Sequence, residues 1–234
     1  MAKQARAVVT YEQILRGAAQ AFGEAGYERA KLNDIVEATG VTRGALYFHF
    51  ESKEALSAAV IERQHELSMR TVAAIAESGA PALAQIVMLC HEMGRQIVTD
   101  PIVHAGIRLT LELNAAQGPK SPYEDWIEVC RALAERAIEE GDLLSTVSAA
   151  ELGDFVISSF TGVQMVANVL TGRSDLEQRV DRMWGLLLPA VMRPDSTHPL
   201  DEIRRARWTS PDDPATPVPS NTPIPAAGPT DSAD

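Results

Sequence analysis

At 234 residues, with 45% hydrophobic and 23% charged residues, the chain has the composition of an ordinary globular protein long enough to bury a sizeable core. No apolar run approaches the roughly 20 residues of a membrane helix, and the opening Met-Ala-Lys-Gln-Ala-Arg lacks the apolar stretch of a secretory signal, so a cytoplasmic protein without membrane contact is expected. The net charge of −11 argues against a polyanionic partner until it is divided: residues 1–50 carry six Lys or Arg against five Asp or Glu, leaving 15 and 27 for the remainder. The acid sits away from the N-terminus, which permits nucleic-acid contact there.

In chain order, apolar residues recur at helical spacing and nowhere show the alternation of a half-buried strand. The pattern predicts an all-α protein of about nine helices near 10–25, 32–39, 42–48, 53–77, 81–99, 101–113, 122–140, 149–170 and 174–192. Thr10 with Gln13, Ser121 with Glu124, Ser148 with Glu151 and Ser174 with Glu177 have the spacing of capping boxes at helix starts. Pro81 and Pro122 suit a first helical turn, and Gly26, Gly40, Gly141 and Gly172 stand where helices should stop. Nine of the fourteen prolines fall in 194–234, which is expected to be a disordered tail carrying Trp208 as a solvated aromatic. Cys90 and Cys130, each inside an apolar pattern, read as reduced core residues.

The segment Leu32–Phe50 carries the most information. A short helix with Leu32, Ile35 and Val36 inward ends at Gly40, Val41 plugs the turn, and Thr42 caps a second short helix whose Leu46 and Phe50 face back into the core. This is a helix-turn-helix, whose second helix enters the major groove of duplex DNA. Thr42 and Arg43 stand at its base-reading end, and Arg43 can grip guanine O6 and N7 with two hydrogen bonds. Gly44 and Ala45 are small enough for close approach. Tyr47 and His49 carry donors for phosphates, and Lys53 opens the next helix with a cation at phosphate reach.

The string Gly-Val-Thr-Arg-Gly-Ala-Leu-Tyr-Phe-His-Phe-Glu-Ser-Lys-Glu-Ala-Leu closely resembles the recognition region of TetR-family repressors. The resemblance implies a three-helix DNA-binding domain over 1–52, a helical ligand-binding and dimerisation domain over 53–193, and a tail over 194–234. Where that family often has a Thr pair before the second helix, this chain has Ala30 and Lys31, so Lys31 replaces a hydroxyl phosphate contact by charge. The Asp100–Leu109 segment and the Tyr-Glu-Asp-Trp126 helix resemble the γ-butyrolactone receptor branch, which implies release from a palindromic operator by a diffusible lactone or butenolide.

In that branch a Trp covers the ligand, so the role carries to Trp126, although pattern alone favours ordinary core for it. Gln64 and Thr161 are the expected polar partners, with Gln164 nearby. Met88 and Met165 are expected walls, though Met on a helical face is also ordinary core. The broad apolar stripes Leu152, Phe155, Val156, Phe160 and Val163, then Val180, Met183, Trp184 and Leu187, suit packing within the chain or against a two-fold mate. The family resemblance implies a homodimer. Histidine and cysteine spacing gives no metal site, and no nucleophile elbow, phosphate loop or dinucleotide fingerprint occurs, so neither cofactor nor catalysis is expected. A TetR-type sensor of an antibiotic or xenobiotic controlling efflux is the second reading. An all-helical enzyme or a protein-interaction module is the alternative outside the class.

Overall fold

In the computed structural model the left-handed Gly40, Gly79, Gly141 and Gly172 follow helix ends, and Gly26 kinks the first helix three residues before it stops at Arg29. The structure describes residues 2–113 and 119–209, with side chains from residue 7. Gly26, Gly40, Gly141 and Gly172 have φ of 80°, 66°, 84° and 59°, values that cost a glycine nothing and any other residue strain. At Gly40 the freed amide closes onto the Val36 carbonyl, which turns the chain into the recognition helix.

Ten helices result among the described residues: α1 (Ala2–Arg29), α2 (Leu32–Thr39), α3 (Arg43–His49), α4 (Lys53–Ala76), α5 (Ala82–Thr99), α6 (Pro101–Glu112), α7 (Ser121–Glu139), α8 (Ala149–Thr171), α9 (Leu176–Val191) and α10 (Leu200–Arg205). No strand occurs among the described residues, only an isolated bridge between Leu143 and Met192. Helix starts depart more from expectation. Ser148 does accept from the Glu151 amide, but Thr10 lies inside α1, Lys120 precedes α7, and Asp175 precedes α9 without a side-chain cap. Ser52 and Asp100 supply caps that the spacing search passed over, accepting from the amides of Ala55 and of Ile102 and Val103.

The expected disordered tail is corrected over residues 194–209. There α10 folds back against α5 and α9, burying Ile203 completely. Arg204 pairs with Asp181 at 2.6 Å and Arg207 with Glu177 at 3.0 Å. Trp208 is half-buried beside Arg95 and Thr99 rather than solvated. Residues 210–234, the rest of that expectation, lie outside the described residues.

Two apolar cores share α6. Ile102, Ala105 and Leu109 on one face join Ile14, Phe22, Ile35, Leu46 and Leu56 in the core beneath the reading head. Val103 and Ile107 on the other join the body core of Ile86, Val87, Leu133, Val156 and Trp184. Helix α4 is divided along its length: Leu56, Val60 and Ile61 belong to the head core, while Ser68 and Ile75 are buried further along. α6 also grips the end of α1. Arg108 donates to the Gly23 carbonyl at 2.7 Å and to Glu112, which accepts from the Tyr27 amide at 2.7 Å.

Candidate DNA-reading surface and ligand cavity

Helix α3 is short, and its placement follows from which residues it buries. Leu46 and Phe50 sink into the head core, while Thr42 accepts from the Ala45 amide at 3.1 Å and so starts the helix. The same rotation leaves Thr42, Arg43, Gly44 and Tyr47 exposed, and Lys31 before α2 is exposed too. The Arg43 guanidinium lies over the Tyr47 ring, 6.0 Å from its centroid, which holds the arginine along the helix. Ala45 and His49 are half-buried, and the His49 ring packs edge-on to Tyr11 at 5.9 Å. Lys53 is drawn inward: Nζ donates to the carbonyls of Glu28 and Ala30, both at 3.2 Å, and sits over the Tyr27 ring. Its ammonium caps the end of α1. Phe48 was not singled out from the sequence, yet it is 80% exposed on α3. A period-3.6 pattern that places Leu46 and Phe50 inward puts residue 48 outward, so that signal was available.

The body holds a cavity between α4, α5, α6, α7 and α8. Trp126 and Tyr123 from α7 face Ser68 and Thr71 from α4, Phe160, Thr161 and Gln164 from α8, and Cys90 and Met93 from α5. The space between the walls is about 680 Å³ counted to the mouth, but the centre of a water molecule can occupy only about 60 Å³ of it. Among the described residues no Asp, Glu, Lys, Arg or His lines it. Its polar groups are few: Thr161 Oγ1 donates to the Tyr123 hydroxyl at 3.4 Å, and Trp126 Nε1 and Gln164 Nε2 are buried without a hydrogen-bond partner among the described residues. Burial pushes the Cys130 thiol up to about 12 and raises Cys90 too, so both stay protonated.

Of the five expected ligand residues, the structure brings Trp126 and Thr161 to the cavity. Gln64 is buried beneath it, donating to Ser68 Oγ at 2.8 Å, and does not line it. Met165 does not line it because α8 turns residues 157, 160, 161 and 164 inward, leaving Met165 48% exposed. Met88 is half-buried off the cavity, one residue before the lining pair Leu89 and Cys90. Tyr123, Ser68 and the two cysteines were not anticipated. Periodicity finds an inward face but not which inward residues border empty space.

Residues 14–60 match the family described as bacterial regulatory proteins, tetR family, and residues 80–194 match the tetracyclin repressor-like C-terminal domain. The chain is 35% identical over 194 residues to the A-factor receptor protein of Streptomyces griseus, covering 83% of this chain and 68% of that one. The chain belongs to the TetR family. It is a DNA-binding regulator of transcription, as members of that family are. A crystal structure of a gamma-butyrolactone receptor, an ArpA-like protein, superposes with a TM-score of 0.74 at 28% identity, over 85% of this chain and 96% of that one. CprB from Streptomyces coelicolor, solved with its operator sequence, gives 0.69 at 29% identity over 81% and 91%. No helix among the described residues of this TetR-family chain is long and apolar enough to cross a membrane.

Proposed function

We propose that this TetR-family regulator is a homodimeric repressor that grips a palindromic operator through α3 and leaves it when a neutral, amphipathic signal of γ-butyrolactone or butenolide type enters the body cavity. The observation that carries the ligand class is the lining, which among the described residues lacks any charged side chain yet holds two unpartnered buried donors, Trp126 Nε1 and Gln164 Nε2. Buried donors left unmade cost free energy that a ligand's acceptor oxygens recover. A lactone offers two such oxygens and a hydrocarbon body for the apolar walls. The relatives named A-factor receptor and gamma-butyrolactone receptor support the same class.

On the DNA side, Arg43 and Thr42 read bases, while Lys31, Tyr47, His49 and Lys53 hold phosphates, with Gly44 and Ala45 permitting close approach. Release follows from space. Pockets for ligands of this size run to about 300–1,000 Å³, so a ligand must part walls that leave about 60 Å³ for water centres. The helices α4 and α6 carry wall residues at one end or face and head-core residues at the other, so parting the walls moves the heads. The ligand shifts the equilibrium by its differential affinity for the two arrangements. Residues 1–52 act as the reading head and 53–193 as the sensing and pairing body.

The test is a gel-shift titration of the protein on its own upstream DNA with and without 2-acyl-γ-butyrolactones. Wild type should release the duplex, and Trp126→Ala should bind it but ignore the lactone. Unchanged binding by wild type at saturating lactone, with release by a cationic or aromatic drug, would move the protein to the xenobiotic sensors.

A further inference from the structure

A single guanidinium decides what the far wall of the cavity offers to an occupant. Gln164 lies on α8 with only 1% of its surface exposed. Its Oε1 accepts from Arg173 twice, from Nη2 at 2.9 Å and from Nε at 3.3 Å. Arg173 is itself 8% exposed and has no carboxylate partner among the described residues. It stands in the turn between α8 and α9 with φ of 67°, a left-handed value uncommon outside glycine, asparagine and aspartate. Its Nη1 lies 3.5 Å from His104 Nε2 on α6. The side chain is therefore held at both ends, by an amide oxygen and by an imidazole nitrogen.

The chemistry of that arrangement fixes an orientation. A guanidinium has five donors and no acceptor. An amide rotated the other way would set its NH2 against the arginine, donor against donor, so the oxygen must face Arg173. The NH2 is then the group Gln164 leaves to the cavity, where Nε2 is buried and unpartnered. Burying a cation against a neutral amide is costly, and burial, with the nearby Arg108, lowers the Arg173 pKa from its ordinary value.

We infer that Arg173 is the specificity-determining positioning residue of the cavity: by locking the Gln164 amide oxygen it makes that wall a hydrogen-bond donor, so the cavity selects occupants with a carbonyl or ether oxygen there. The inference deepens the small-molecule reading above and is tested apart from it, with fragments in place of any signal molecule and without DNA. Cyclopentanone and methylenecyclopentane have nearly the same shape and differ in the acceptor oxygen. Their binding to the full chain is followed by the side-chain NH2 resonance of Gln164 and the indole N–H of Trp126.

Wild type should bind the ketone at least about tenfold more tightly, with the Gln164 resonance moving on binding. Arg173→Met frees the amide and should bring the two affinities within about twofold. Gln164→Glu keeps a partner for Arg173 but replaces the donor by an acceptor, so it should lose the preference in a folded protein even if Arg173→Met unfolds. A wild-type protein that does not prefer the ketone, or an Arg173→Met or Gln164→Glu protein that keeps the full preference, would overturn the assignment. Failure of acyl-lactones to release DNA would instead sink the signal class and leave this result standing.

Discussion

Arg43 and Tyr47 are neighbours on α3, yet they should fail differently when truncated. Arg43 is exposed at the helix start, where the proposed docking puts base edges, while Tyr47 sits a turn later beneath its guanidinium. Arg43→Ala should cost about 1–3 kcal/mol at its base pair and flatten the preference there. Tyr47→Ala should weaken all duplexes alike; competition binding against single-base operator variants separates the two, and identical profiles would refute the roles. Histidines give the second residue-scale prediction. Burial holds His91 and His104 below the ordinary 6.5, with Arg207 adding to the effect at His91 and Arg173 and Arg108 at His104. As pH falls through about 6.5 the unfolded chain takes up these protons first, so stability is full above that value and declines below it. The melting temperature should therefore drop between pH 7.5 and 5.5, and His91→Gln or His104→Gln should flatten the slope.

Among elements, the α7–α8 crossing is a close backbone-to-backbone joint. A Cβ on Gly153 would stand 2.9 Å from both the Ile127 carbonyl oxygen and the Arg131 amide nitrogen, which are backbone and cannot step aside. Gly153→Ala should force the helices apart, cost about 1–3 kcal/mol and lower the melting temperature measurably. That glycine was not legible as a packing residue, because a small residue inside a helical pattern signals no partner by itself. Helix ends at Gly40, Gly141 and Gly172 were legible, since each needs a backbone that glycine alone adopts freely. Helix starts were less so, because a hydroxyl and an acid three apart recur by chance and Ser174 lost its cap to the turn at Arg173. The outward surface of α3 could be read from Leu46 and Phe50. The cavity wall could not, since Met165 and Gln164 are adjacent in sequence and a few tens of degrees of helix rotation decide which one borders space. α10, six residues long, is too short for any period to declare itself.

At the scale of the molecule, α8 and α9 leave a wide apolar surface uncovered. Phe155, Val166 and Val169 recur at coiled-coil spacing on α8, Val169 being 82% exposed, and Leu186 is exposed on α9. A two-fold mate would cover this stripe and place two reading heads on one face. Val169→Asp together with Val166→Glu should yield a folded monomer by light scattering that no longer holds operator DNA, whereas a dimer of normal mass would relocate the interface.

The folded-back α10 has a consequence for the gene. A stop codon at position 194 would spare every residue of the reading head, the cavity and the pairing stripe, and would look harmless on a map of the working parts. It would nevertheless strip Ile203 from the seam between α5 and α9 and leave Asp181 and Glu177 without Arg204 and Arg207. Since α9 carries part of the proposed pairing surface, such an allele should read as a loss of repression in the cell. The lesion would lie far from the DNA, in a fastening rather than in a reader.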